Sequence, residues 1–299
     1  MICKEQFETV SGGLLVRAPA KINLSLLIAG KRPDGFHEIE TIMAKVNFYD
    51  EILIQRSEKA GIKLVCEGPY RAPQGEENLV YQAAKLLLES CGQFADIKIT
   101  LTKNIPAGSG LGSASSDAAA TLMGLNEFLE LALDKRSLSK LAARLGSDVA
   151  FFLNGPIALC TGKGEKVKKL ENFNFLALLI LPDVSVSTKE VYANYKHDLA
   201  LYEKLSGQIN TLVQKNRIDL VSKMCTNMLE KTCFSLYKGP FELKAKIKSL
   251  GVGPCCLSGS GSAMFYIVDG ADEERGRENR RKLEEEVNCK SITVSNNRW

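Results

Sequence analysis

The 299-residue chain is predicted to be an α+β protein of two domains, 1–165 and 166–299. Three observations predict this. Strand-like alternation and helix-like spacing interleave through both halves. A polar run, Lys163 to Asn174, separates the apolar segments near the middle. The length also exceeds what one hydrophobic core usually serves.

The elements follow in order. Leu14 to Ile28 ends in alternation, with Ile22, Leu24, Leu26 and Ile28 facing one way and Lys21, Asn23 and Ser25 the other. Pro33-Asp34-Gly35 punctuates the next turn. Strands are expected at Ile39–Phe48, Glu51–Arg56 and Ile62–Cys66. Glu77–Ser90 reads as an amphipathic helix that Gly92 ends. A strand, Asp96–Thr102, leads into a glycine-rich loop, and Ala118, Leu122, Leu125 and Leu129 then recur at helical spacing. The helix Ser137–Leu145 buries Leu138, Leu141, Ala142 and Leu145 and stops at Gly146; strands Val149–Leu153 and Ile157–Cys160 close the half. The second half predicts strand Phe175–Leu181, helices between Thr188 and Leu250, and strand Cys255–Ser258. A turn SGSGS, strand Ala263–Val268, helix Asp272–Val287 and strand Ser291–Val294 complete it.

Composition excludes several classes. Only 2 histidines are present, too few for a histidine metal centre. The 9 cysteines (Cys3, Cys66, Cys91, Cys160, Cys225, Cys233, Cys255, Cys256, Cys289) form no C-x-x-C pair, which predicts reduced structural thiols and no zinc site. A net charge of +4 without a basic block beside aromatics does not require nucleic acid, while it suits an anionic small ligand. The first residues carry acids and lack the apolar segment of a signal peptide, and no apolar run approaches the roughly 20 residues of a membrane span, so the expectation is a cytosolic protein without a membrane partner.

The stretch NIPAGSGLGSASSDAAATLMGLNEF, Asn104 to Phe128, is a glycine-rich turn opening a helix. Glycines let several N–H groups converge without Cβ interference, and the helix N-terminus adds unpaired donors and a dipole that favours phosphate. For one glycine a serine cap on the helix would explain the pattern; a run of small flexible positions favours an anion. The loop is no G-x-x-x-x-G-K-[ST] motif, because Ser113-Ala114 follows Gly112, and no acidic residue stands at the interval of a dinucleotide fingerprint. The missing lysine must come from elsewhere. Lys21 projects from the polar face of its strand, with Asn23 about 7 Å along it. Asp148 stands between an apolar helix and an apolar run, where a carboxylate needs a cation or several donors. A solvated edge lysine and a turn-bracing aspartate are the plain alternatives. Together the two residues would supply the base and the cation of a phosphoryl transfer.

Three motifs carry a resemblance: APAKINLSL (18–26), PAGSGLGSASSDAA (106–119) and CLSGSGSAMF (256–265) resemble those of the GHMP kinases. Within that family, RPDGFHEI (32–39) and LGSDVAFF (145–152) resemble the branch acting on a cytidine-diphosphate-linked methylerythritol. The resemblance implies a first domain like ribosomal protein S5 domain 2, a ferredoxin-like second domain, and ATP with Mg2+ as cofactors. It implies Lys21 and Asp148 as the catalytic pair. For ATP it implies Asn78 and Lys103 near the base, and the loop Pro106, Ala107, Gly108, Ser109, Gly110, Leu111, Gly112, Ser113, Ala114, Ser115 and Ser116, with Ser116 also offered to the metal. For the alcohol it implies Asn23, Phe36 and His37 (the cytosine reader), Thr188 and Tyr192. Phe36 stands where many relatives carry tyrosine, which keeps stacking and loses a hydroxyl. A homoserine- or mevalonate-type kinase and a non-catalytic nucleotide sensor are the alternatives; neither explains the Phe36–His37 turn together with Lys21 and Asp148.

Overall fold

The computed structural model describes residues 4–299, so Cys3 lies outside the described residues. In chain order the elements are β1 (Phe7–Val10), β2 (Gly13–Lys31), β3 (His37–Arg56), β4 (Ile62–Glu67), α1 (Leu79–Cys91), β5 (Ile97–Thr102), α2 (Ser113–Phe128), α3 (Lys135–Leu145), α4 (Val149–Phe152), β6 (Ile157–Gly162) and β7 (Lys166–Lys169). They continue with β8 (Leu176–Leu181), α5 (Thr188–Asn194), α6 (Leu199–Gln214), α7 (Ile218–Met224), β9 (Thr226–Asn227), α8 (Glu230–Leu236), α9 (Lys238–Ser249), β10 (Cys256–Leu257), β11 (Met264–Val268), α10 (Glu273–Val287) and β12 (Lys290–Ser295).

The fold is α+β, built on two sheets. The larger has 8 strands, running β1-β2-β3-β5-β4, with β6 and β7 continuing from β3 and the short β9 added to β2. The smaller is ordered β10-β11-β8-β12 and is antiparallel throughout. With helices between β8 and β10 and α10 between β11 and β12, this is the βαββαβ order of a ferredoxin-like unit, as expected.

Long β2 and β3 arise because their apolar positions face two cores. Val16 and Ala18 of β2 pack with α1, α2 and α4 in one core, while Ala20, Ile22 and Leu24 pack with β8, β11 and β12 in a second. Strand β8 is buried along its whole length, because Ala177, Leu179 and Leu181 face that second core and Leu176, Leu178 and Ile180 a third. Both faces being covered explains its unbroken apolar run.

Four expectations are corrected. Where a strand was expected over Val149–Leu153 there is a one-turn helix, α4, of Val149–Phe152; an apolar run buried on all sides carries no period that separates helix from strand. The two expected strands Ile39–Phe48 and Glu51–Arg56 are one, β3, which bends through a register shift where Pro19 pairs with Tyr49 and Ala20 with Val46. The polar connector contains β7, hairpinned on β6. Cys225 and Cys256 are joined by a disulfide, against the expectation of reduced thiols, because β9 and β10 lie side by side and set their Cα atoms 5.0 Å apart. No helix among the described residues is long and apolar enough to cross a membrane.

Candidate active site

Where β2, the glycine loop, α4 and α5 meet, a cleft of about 1090 Å³ opens, larger than one small ligand needs and suited to two substrates. Of the predicted site residues all but one line it. The exception is Ser116, which is 1% exposed and whose Oγ has no partner among the described residues.

The loop is held by its carbonyl oxygens. Gly108 O accepts from Val186 N at 3.3 Å, Ser109 O from Ala263 N at 3.0 Å, and Leu111 O from Lys21 N at 2.9 Å. Gly110 O accepts from Ser258 Oγ at 3.0 Å and from Lys21 Nζ at 2.6 Å. No backbone N–H from Gly108 to Gly112 donates to a protein group among the described residues, and no side chain caps α2. No serine of the loop therefore caps the helix; the polar groups left for a ligand are N–H donors at a helix N-terminus, which suits an anion. The close fit with the third motif demands glycine at 110: φ is +76° and a Cβ there would overlap the Ser258 carbonyl. Gly110→Ala is expected to cost about 1–3 kcal/mol in backbone strain alone, and calorimetric titration should find nucleotide affinity lowered at least tenfold; unchanged affinity would remove the loop from nucleotide binding.

Lys21 is 3% exposed although charged. Its ammonium donates to Asn23 Oδ1 at 2.6 Å; Asn23 Nδ2 donates to Thr41 Oγ1 at 2.8 Å, and Thr41 Oγ1 donates to Ser25 O at 2.6 Å. This chain fixes the direction of Lys21 before any ligand arrives. Burial pushes its pKa down, while the Asp148 and Cys160 side chains act in the opposite sense. Lys21 and Asp148 share the cleft wall, but no ion pair joins them within 4.0 Å among the described residues. Asp148 is half-buried at the head of α4, its Oδ1 3.3 Å from where a Cβ on Gly164 would stand.

At one end of the cleft, Asn78 and Lys103 are on the wall with side chains committed to the scaffold. Asn78 Oδ1 caps α1 through Val80 N at 2.9 Å, and its Nδ2 donates to Pro73 O at 2.8 Å. Lys103 Nζ pairs with Asp50 Oδ2, Ser113 Oγ and, at 2.7 Å, Asp117 Oδ2. Burial opposes the Lys103 charge, yet Asp117 and Asp50 outweigh it and hold its pKa above the ordinary lysine value. Burial and then the Asp50 charge push Asp117 well up.

At the other end His37 sits 5.3 Å from the Tyr192 ring and 5.9 Å from the Tyr195 ring. Burial, Lys31 and His197 push its pKa down, so the ring is neutral at pH 7. Phe36 is 54% exposed, with Lys163 Nζ 4.6 Å from its centroid. Thr188 Oγ1 and Ser260 Oγ are 2.8 Å apart, closing α5 onto the third motif. Sequence reading missed Lys163, Tyr195 and Ser260. The glycines around Lys163 and the three-residue spacing of Tyr192 and Tyr195 were available signals; nothing local marked Asp50.

Comparison with known proteins gives the family. The N-terminal domain pattern of the GHMP kinases matches residues 78–156 and their C-terminal pattern residues 209–288. A 4-diphosphocytidyl-2-C-methyl-D-erythritol kinase of Geobacillus sp. (strain WCH70) is 38% identical over 256 residues, 85% of this chain and 88% of that protein. One of the same name from Clostridium botulinum (strain Eklund 17B / Type B) is 37% identical over 255 residues, 85% of this chain and 90% of that protein. The crystal structure of a 4-(cytidine 5'-diphospho)-2C-methyl-D-erythritol kinase superposes with a TM-score of 0.75 at 30% identity, covering 95% of this chain and 99% of that one. A homoserine kinase from Cytophaga hutchinsonii gives a TM-score of 0.75 at 25% identity, covering 99% and 98%. On these matches and on the three motifs that meet in one cleft, the chain belongs to the GHMP kinases.

Proposed function

We propose that the protein transfers the γ-phosphoryl group of ATP to the C2 hydroxyl of 4-diphosphocytidyl-2-C-methyl-D-erythritol, a step of the methylerythritol phosphate route to isoprenoid precursors. The observation that carries this reading is the cleft itself. Donor N–H groups of the phosphate loop, the Lys21–Asp148 wall and the His37–Tyr192 cluster all line the same space. A homoserine or mevalonate kinase has no use for a base clamp, and a sensor has none for a poised lysine and carboxylate.

In this mechanism the loop Pro106–Ser115 holds the phosphate chain through its backbone donors, and the base lies toward Asn78 and Lys103. Asp148 takes the proton of the attacking hydroxyl, and Lys21 steadies the charge that develops on the transferring group. Asn23 keeps the Lys21 ammonium aimed. His37, Phe36 and Tyr192 hold the cytosine, with Tyr195 completing the aromatic wall, while Thr188 closes α5 over the substrate. Lys163 offers a cation between the cytosine end and Asp148, where the substrate carries its diphosphate. A magnesium ion held mostly by phosphate oxygens and water would neutralise the phosphate charge. The wall offers it the Ser115 hydroxyl in preference to the buried Ser116. Residues 1–165 provide the nucleotide and base side, and 166–299 close the alcohol side.

The test is ADP release with ATP, magnesium and the cytidylyl alcohol, with homoserine and mevalonate in parallel. Turnover confined to the cytidylyl alcohol is expected. Turnover with another alcohol would remove the cytosine assignment, and none with any would favour the sensor. His37→Ala is expected to raise KM for the cytidylyl alcohol about tenfold with KM for ATP unchanged; an equal rise for both would count against a base-reading role.

A further inference from the structure

Lys45 is a charged side chain that the mechanism above does not use, and it is 1% exposed in the middle of β3. Its Nζ donates to Phe152 O at 2.9 Å and Asn154 O at 2.7 Å, the carbonyls at the C-terminal end of α4. Its own backbone is fixed on both sides, Lys45 N donating to Pro156 O at 2.8 Å and Lys45 O accepting from Asn297 N at 2.9 Å. The Phe151 and Trp299 rings lie 6.0 and 5.9 Å from the ammonium. Among the described residues no carboxylate pairs with it, and the other charge that acts on it is Lys135, which repels it.

Two features join this clamp to the site. Helix α4 is a single turn of 4 residues with Asp148 at its head. One turn is too short to hold itself, since helix nucleation is unfavourable and its terminal carbonyls have no internal partner. The Phe152 ring reaches the phosphate loop: a Cβ on Gly112 would stand 2.9 Å from Phe152 Cζ and 3.0 Å from Lys21 Cγ. The Phe152 carbonyl is thus gripped by Lys45 while its ring and the Lys21 side chain both pack against Gly112.

We propose that Lys45 is a positioning residue, which holds α4 by its C-terminal carbonyls and thereby aligns Asp148 with Lys21 and the phosphate loop. The proposal rests on Asp148 being the base. Burial, with a smaller push from Lys135, brings the Lys45 pKa down to about 7. The amine keeps two N–H donors in either protonation form, so both carbonyls stay satisfied as the pH changes. Stability responds where alignment does not. Between about pH 7 and the ordinary lysine value of 10.5 the unfolded chain holds a proton that the folded chain has released, so stability contributed by this group rises with pH across that window.

The experiment compares the parent with Lys45→Met, which keeps length and removes the donors, and with Lys45→Gln in case the first fails to fold. Hydrogen exchange is followed along the chain, and kcat and both KM values are measured. In Lys45→Met, amides 149–154 are expected to lose protection at least tenfold with little change elsewhere, and kcat to fall about 10- to 100-fold with KM for ATP within about twofold. From pH 7 to pH 8.5 the midpoint of thermal unfolding should rise more in the parent than in the variant, the difference between the two profiles isolating Lys45 from the other groups that titrate. A kcat within twofold of the parent, unchanged exchange in 149–154, or a uniform loss of protection over the whole chain would each overturn the proposal. Exchange needs no substrate, so absence of turnover in the parent would sink the proposed reaction while leaving the clamp to be decided by exchange.

Discussion

Replacing Asp148 with Asn is expected to lower kcat about a thousandfold while ATP binds as before, the loss falling within what general-base removal costs. Asn has the same shape, so the packing against Gly164 and the fold of α4 survive; what disappears is the acceptor for the hydroxyl proton. The glycine-rich loop, proposed to bind the phosphates, holds its shape through Ser258, Ala263, Val186 and Lys21 and makes no use of Asp148. Steady-state kinetics with calorimetric ATP titration separate the two effects. Undiminished kcat would remove Asp148 from the chemistry, and a parallel loss of ATP affinity would make it a nucleotide ligand. Lys21 should show the opposite mixture, since its ammonium contacts the loop directly.

The second large effect is expected at Asp50, which has 0% exposure and four hydrogen-bonding partners. Its Oδ1 accepts from Asn104 N at 2.6 Å and Ile105 N at 2.8 Å, where the chain leaves β5 for the loop. Its Oδ2 accepts from Lys103 Nζ and, at 2.9 Å, from Ser113 Oγ, where the loop becomes α2. One carboxylate therefore staples both ends of the phosphate loop. Asp50→Ala leaves two N–H groups without an acceptor, takes from the Ser113 hydroxyl the group it donates to, and removes one of the two carboxylates at a buried ammonium. Breaking such a pair costs about 3–5 kcal/mol, to be read from denaturant unfolding. ATP affinity should fall with it, because the two ends of the loop are released together. A variant as stable as the parent would show that Asp117 alone satisfies Lys103.

The sequence made much of this site readable, and the reasons differ by residue. Lys21 and Asn23 could be found because a strand has a period of two and their neighbours at Ile22 and Leu24 are apolar. The glycine-rich loop could be placed on the cleft wall because glycines between a strand and a helix point to a ligand. Asp148 was found by its apolar surroundings, but its local structure was misread, since VAFFL is equally apolar on every side. Asp50 and Lys45 were invisible for another reason. Their partners lie between 50 and more than 100 positions away in sequence, and a buried charge announces itself only when the fold brings a partner to it. The Cys225–Cys256 link was missed likewise, for its partners meet only once β9 has joined β2.

That same short strand has a consequence for assembly of the molecule. Thr226 and Asn227 pair with Ser25 and Leu26, a parallel contact between segments about 200 residues apart, and such remote pairings slow folding because a long loop must close before the contact rewards it. The β2–β3 face that β8, β11 and β12 cover is apolar at Ala20, Ile22, Leu24, Ile42, Ala44 and Val46. During synthesis the N-terminal half emerges first and must hold that face unshielded until the ferredoxin-like unit is complete. A nascent chain stalled before residue 226 then leaves this face uncovered, and chimaeras that exchange halves between relatives must match this core before they can exchange specificity.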